Sequence, residues 1–390
     1  MMEIQMNEPE DGLLDGMFPI TEYQAPIRPK RDFLPWHRPR KQFVRQEQWQ
    51  FQIQALINAP DFESQTLRYL GLPGSDLLDI RHFHENLCRP NHLELLYLGF
   101  NIAASPCNPG QTELNISIDE VSKLPGIDTR STIIPDNFCL IANKSSIAWS
   151  RARKLGPFDV INLDLCDGFA NHMPGSLNDN YYNAVANLMA LQSGRNQPWL
   201  LFLTTRTGRQ DINQDILKKF ISMYLSNLSE CASFKAKSQE DFGIASESDL
   251  LEAIKTPDGH LSVFLVALCK WMIGLGVGQR PPVRVSVTST LGYRVSQHAD
   301  HNDLISIALR FEPTFLAVAD PTGIARAEAT ELDECRLATD IVRRIRNRKC
   351  VDTHLHANSD VMEEMVAATS ELLELARYDI EEYRVWVQNA

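Results

Sequence analysis

Two apolar runs constrain the fold more than anything else in the chain. The first lies within Gly156–Gly168, Gly-Pro-Phe-Asp-Val-Ile-Asn-Leu-Asp-Leu-Cys-Asp-Gly. The second, Trp199-Leu-Leu-Phe-Leu-Thr204, follows about thirty residues later and ends in Thr205-Arg206-Thr-Gly-Arg209. Near-continuous apolar strands of this kind need cover on both faces, which is the condition of a parallel sheet. Open parallel sheets bind ligands outside the carboxyl ends of their strands. Asn162, Asp164 and Asp167 stand at the end of the first run, and Arg206 and Arg209 at the end of the second.

The elements around these runs repeat a strand–helix pattern. Asp76–Ile80 reads as a first strand, preceded by a short helix and the turn Gly71-Leu-Pro-Gly74. His82–Leu87 reads as a short helix, Leu93–Phe100 as a second strand and Phe138–Ala142 as a third, with 101–135 polar and irregular between the last two. Ser145–Lys154 and Asn180–Leu191 are helices. Ile212, Ile216, Phe220, Tyr224 and Leu228 recur every four residues on another. Val283–Val287 and Ile305–Phe311 then alternate apolar and polar residues with no helix between them, as an antiparallel pair does, and the tail from Ala327 is helical. The expectation is an α/β domain over 46–325 with a doubly wound, mainly parallel sheet and a terminal antiparallel hairpin. An N-terminal arm (1–45) precedes it and a helical extension (326–390) follows.

Composition narrows the class. With 390 residues, 44% of them hydrophobic, the chain can bury a large core. Its net charge of −12 excludes a protein that is basic throughout. The cations are concentrated, however: Arg28–Arg45 holds seven of the 38 Lys and Arg (Arg28, Lys30, Arg31, Arg38, Arg40, Lys41, Arg45) against one acid, Asp32. Four prolines over 26–45 (Pro26, Pro29, Pro35 and Pro39) predict an extended conformation there. Trp36 and Phe43 interleave with the cations, the mixture with which grooves grip nucleic acid, stacking for bases and charge for phosphates. The alternative is an arm that binds the acidic body or an acidic protein partner. The eight cysteines are scattered without a CxxC pair, which predicts reduced thiols, no disulfide framework and a cytoplasmic protein. Leu261–Val277 is long and apolar but contains Lys270, Gly274 and Gly276, and reads as a buried helix rather than a membrane span.

The order of elements resembles the class I S-adenosylmethionine-dependent methyltransferase fold over roughly Gly71–Pro313. Locally, Ile161-Asn162-Leu163-Asp164-Leu165-Cys166-Asp167-Gly168 is similar to the Ile-Asp-Leu-Asp-Pro-Phe-Gly motif of the tRNA guanine dimethyltransferases, with Asp164 matched and the proline and aromatic missing. The resemblance implies that Asp164, with Asn162 and Asp167, holds a target amine. It implies a cofactor, S-adenosylmethionine, against Asp79 and Arg81 at the first strand, Asn101 at the second and Asn143 at the third. The loop it places after the first strand, Arg81-His82-Phe83-His84-Glu85, lacks the glycines such a cofactor requires, and Asn101 replaces the acid that would hold its ribose.

Three functions follow as expectations. The first is a degenerate methyltransferase-fold accessory or regulatory subunit of a nucleic-acid-associated assembly, of the bacterial defence or modification kind, bound to further subunits through the basic strip. The second is an active nucleic-acid methyltransferase. The third is a phosphate- or nucleotide-binding enzyme using Arg206 and Arg209, since the guanidinium fork grips anions in two bonds. Metal sites at His82/His84 or at His298/His301 compete with plain packing and with a solvated loop, and no metal is expected.

Overall fold

In the computed structural model the chain is described at residues 29–105, 108, 110–165, 167–171, 180–295, 302–314 and 332–388. Its centre is a sheet of β1 (Thr66–Gly71), β2 (Glu94–Phe100), β3 (Thr132–Ile134), β4 (Val160–Asp164), β5 (Trp199–Arg206), β6 (Val283–Tyr293), β7 (Leu304–Pro313) and β8 (Lys349–Cys350), in the order β3-β2-β1-β4-β5-β7-β6-β8. The pairs β1–β2, β1–β4, β2–β3 and β4–β5 are parallel, whereas β7 runs antiparallel to both β5 and β6. The sheet is thus mainly parallel and closes with an antiparallel hairpin, the methyltransferase-like arrangement expected from the sequence. Strand order reverses between β1 and β4, so the crevice beyond their carboxyl ends is the position where such sheets take ligands.

Helices cover both faces. In chain order they are α1 (Pro39–Phe43), α2 (Phe51–Ile57), α3 (Leu78–Phe83), α4 (Gln111–Ser122), α5 (Ile147–Leu155), α6 (Tyr181–Gln192), α7 (Gln214–Glu230), α8 (Ala232–Phe242), α9 (Glu247–Ala253), α10 (Pro257–Val277), α11 (Glu334–Arg346), α12 (Val351–Ala357), α13 (Ser359–Leu375) and α14 (Ile380–Gln388). Because side chains alternate along a strand, Leu67 and Tyr69 of β1 pack with Trp49, Phe83 and Phe202 on one face. Leu70, Ile161, Leu163 and Leu201 pack with α5, α6, α7 and α10 on the other. One described helix, Pro257–Val277, is long and apolar enough to cross a membrane. Most of it is buried inside the fold, with Val263–Cys269 wholly in the core.

Several expectations are corrected here. Asp76–Ile80 is not a strand: α3 starts at Leu78 after Leu77 in the left-handed region (φ 52°). The first strand is Thr66–Gly71, in place of the short helix expected there, since pairing with β2 and β4 on both sides overrides a short ambiguous pattern. Phe138–Ala142 is a 3₁₀ turn capped by the Asn137 side chain, and the third strand is Thr132–Ile134. The stretch read as irregular holds α4 as well. From Pro35 on the proline-rich strip is not extended: Pro35–His37 is a 3₁₀ turn and, after an extended Arg38, 39–57 is helical, with Pro35 and Pro39 each opening a turn, where a missing N–H costs nothing. Nor are all thiols reduced. Cys231 and Cys335 form a disulfide (Cα–Cα 5.6 Å) where α8 packs on α11, a pairing that 104 residues of separation hid.

Candidate functional site

The crevice is built from the last residues of β1 and β4. Apolar Val160, Ile161 and Leu163 drive β4 through the core, and Asp164 emerges at its end, partly exposed. Its carboxylate is already engaged. Lys41 of α1 places its ammonium 2.5 Å from Asp164 Oδ1 and 3.4 Å from the Tyr293 hydroxyl, and 4.5 Å from the centre of the Trp49 ring. Lys41 is only 4% exposed. A buried ammonium needs a counter-charge, and here the acid at the end of β4 supplies it while two aromatic rings wall it in. Burial foremost, then the Asp164 charge, raises the Tyr293 pKa well above the ordinary value, so the phenol stays neutral. Asn162, two residues earlier and on the same face as Asp164, is fully buried beside the Tyr69 hydroxyl. Asp167 turns elsewhere and accepts a hydrogen bond from Tyr181 at the start of α6 (3.0 Å). The structure therefore brings Asn162 and Asp164 together and directs Asp167 to a separate contact.

The residues assigned to a cofactor do not converge. Asp79 is buried in α3 and ion-paired with Arg45 (2.6 Å). Arg81 bonds Glu120 (2.6 Å) and the Asp76 carbonyl (3.0 Å). Asn143 accepts from Ser145 within its own turn. Asn101 does lie at the end of β2, where it donates to the Pro73 carbonyl (2.9 Å) and accepts from the Ala103 N–H (2.8 Å). Since β1 ends at Gly71, the loop that follows it is Leu72-Pro-Gly-Ser-Asp76, which carries a glycine. Sequence reasoning had set this stretch aside as a turn and placed the loop at Arg81–Glu85. His82 of that segment is buried in α3 and its pKa is pushed down to about 3, by burial first and Arg45 second, so the ring is neutral. His84 Nε2 donates to the Pro125 carbonyl (2.8 Å).

The glycine-bearing loop is folded against the neighbouring strand end. A Cβ on Gly99 of β2 would stand 2.9 Å from the Pro73 ring, so the loop already lies against the β2 end. Asn101 is spent on the loop itself. Asp76 is held by Lys30 and by the Tyr378 hydroxyl (2.9 Å), with His37 Nε2 at 3.7 Å. Burial would raise the Asp76 pKa, yet His37, Lys30 and Tyr378 together hold it well below the usual carboxylate range.

The basic strip accounts for most of these contacts. Arg31 pairs with Asp379 (2.9 Å), Arg40 with Asp352 (3.2 Å), Lys41 with Asp164 and Arg45 with Asp79. Arg38 is buried, its guanidinium 5.0 Å from the centre of the Trp386 ring. Phe33 packs among Tyr378, Tyr383 and Trp386, and the Tyr383 hydroxyl donates to the His37 carbonyl (2.9 Å). Of the two readings of the strip, the arm that binds the acidic body is the one seen for Lys30, Arg31, Arg40, Lys41 and Arg45: the body's own acids take them, and the strip joins the crevice to α13 and α14. Trp36 and Arg31 stay exposed. At the β5 end, Arg206 lies 3.8 Å from Asp303, and Arg209 donates to the Ile254 carbonyl (2.7 Å) and to that of Lys255. His298 and His301 lie outside the described residues. Among the described residues no cluster of His, Cys, Asp and Glu could hold a metal.

Trp49 and Tyr293 were missed from the sequence. Only the position of Tyr293 at the end of a strand would have pointed to it.

The PP_RS20740-like family matches residues 30–388, nearly the whole chain. The chain belongs to this family. No curated protein matches it. Five chains of solved structures do. One is a putative class I S-adenosylmethionine-dependent methyltransferase from Listeria monocytogenes (10% identity, TM-score 0.32, covering 79% of this chain and 70% of that one). Another is loganic acid methyltransferase with SAH (9% identity, TM-score 0.27, 74% and 99%). The methyltransferase-like fold of this PP_RS20740-like protein rests on its own sheet: the reversal of strand order between β1 and β4 and the closing hairpin.

Proposed function

We propose that this PP_RS20740-like protein works by binding and not by methyl transfer, as an accessory or regulatory component built on a methyltransferase-like fold. The observation that supports this is the Lys41–Asp164 pair. The acid that would receive a target amine holds an amine of its own chain, enclosed by Trp49 and Tyr293. The loop after β1 is folded on the end of β2, and Asp76 in that loop is tied to Lys30 and Tyr378. Calorimetric titration with S-adenosylmethionine tests the proposal. The expected result is no binding tighter than about 10 μM, a threshold worth roughly 7 kcal/mol. A tighter dissociation constant contradicts it.

A second reading is favoured by the glycine-bearing loop at β1. In it Lys41 is a removable plug and the crevice opens to cofactor once the lysine leaves. Lys41→Met, titrated in parallel, separates the two: submicromolar binding by the variant alone supports the plug.

A further inference from the structure

A cleft of about 570 Å³ opens beyond the ends of β5 and β6, away from the Lys41–Asp164 pair. Three guanidinium groups line it: Arg209 after β5, Arg294 after β6, and Arg348 before β8. Their charge is only partly offset. Arg209 is anchored by the Ile254 and Lys255 carbonyls and has no carboxylate partner among the described residues. Arg294 lies 3.9 Å from Asp352, which is shared with Arg40 at 3.2 Å. Arg348 pairs with Asp258, whose side chain is largely in solvent.

The first turn of α10 forms another wall, through Pro257, Asp258 and His260. This helix is 21 residues long and turns the positive end of its dipole toward the cleft; Pro257 carries no N–H, and the Gly259 and His260 N–H groups are taken by Thr256. His260 supplies an independent sign of a ligand. It is 4% exposed, lines the cleft, and its Nε2 has no partner among the described residues. A buried polar atom left unpaired is costly and rare. Burial first, then Arg209, lowers the His260 pKa, so the ring is neutral.

We propose that this cleft binds a phosphomonoester, with its phosphate among Arg209, Arg294 and Arg348 at the N-terminus of α10. Planar guanidinium forks and a helix N-terminus suit the tetrahedral oxyanion. The volume falls in the range of small-molecule sites and exceeds what a bare ion needs. The inference goes beyond the proposed function and does not depend on it, because neither Lys41 nor Asp164 lines the cleft.

Calorimetric titration of the full chain with AMP and with inorganic phosphate tests it. AMP is expected to bind more tightly than about 1 mM. Arg209→Gln and Arg294→Gln are each expected to weaken it about tenfold or more, with thermal melts showing which variants stay folded. Arg294 is half-exposed, so its variant keeps the test open if the other fails to fold. Phosphate binding as tightly as AMP, and sensitive to the same variants, supports the phosphate site with free phosphate as its occupant. Absence of AMP and phosphate binding overturns the proposal, as does binding that neither folded variant alters. A single-stranded RNA without terminal phosphate that binds more tightly than AMP also overturns it, in favour of nucleic acid.

Discussion

The Lys41 ammonium lies 2.5 Å from the Asp164 carboxylate, although 123 residues separate them in the chain. The two partners are not equally buried: the lysine side chain is 5% exposed and that of the aspartate 21%. Removing one partner of a buried pair is costly because the other charge is left uncompensated. Asp164→Asn strands a buried ammonium, whereas Lys41→Met leaves a carboxylate that water can reach. Urea unfolding is therefore expected to show Asp164→Asn losing about 3–5 kcal/mol and Lys41→Met losing less. Equal losses, or the reverse order, contradict the geometry.

Gly168 closes the turn after β4 against the segment after β5. A Cβ there would collide with the carbonyl oxygen of Asp211, and backbone cannot yield as the end of a side chain can. Gly168→Ala is expected to cost about 1–3 kcal/mol, the usual penalty of overpacking. A melting temperature equal to that of the parent would show that the two segments do not approach as described.

Acid should weaken the fold in a defined window. His82 has a folded pKa of about 3 against an ordinary 6.5, so between these values the unfolded chain binds a proton that the folded chain does not. Stability then rises with pH across that interval, and this contribution is complete above 6.5 and lost as pH falls. Asp76, also depressed, adds its own loss only as pH falls below its ordinary value of 3.8. Replacing the ring by His82→Gln should flatten the dependence between pH 4.5 and 6.5 by up to about 1.4 kcal/mol per pH unit, the most at the acid end of that range. Denaturation midpoints measured across that range check this, and an unchanged slope refutes a neutral buried His82.

The sequence showed the centre of the sheet more clearly than its edge. Val160–Leu163 and Trp199–Leu203 were legible because strands buried on both faces must be apolar throughout. Thr66–Gly71 was not, because six residues of mixed character become a strand only by pairing with β2 and β4. That one error moved the expected cofactor loop from Gly71–Asp76 into α3. Asp164 was legible as a polar residue ending a buried strand. Its occupant was not, since local charge patterning shows that Lys41 and Arg45 are cations and says nothing of acids 123 and 34 residues away. The sequence leaves the strip open between a partner and the chain's own acidic body, because seven cations in eighteen residues repel one another unless acids intervene. The fold supplies those acids from α3, β4, α12 and the turn before α14.

The strip's cations serve the chain's own acids and close the crevice. Trace acetylation followed by mass spectrometry tests it most directly, since an amine reacts only where reagent reaches it. Lys218 and Lys255 expose most of their side chains, whereas Lys41 does not. In the folded protein Lys218 and Lys255 are expected to be acetylated readily and Lys41 at least about a hundredfold more slowly, on the scale set by an opening cost of roughly 3 kcal/mol. Lys41 labelled at the rate of Lys218 in the folded protein would contradict it.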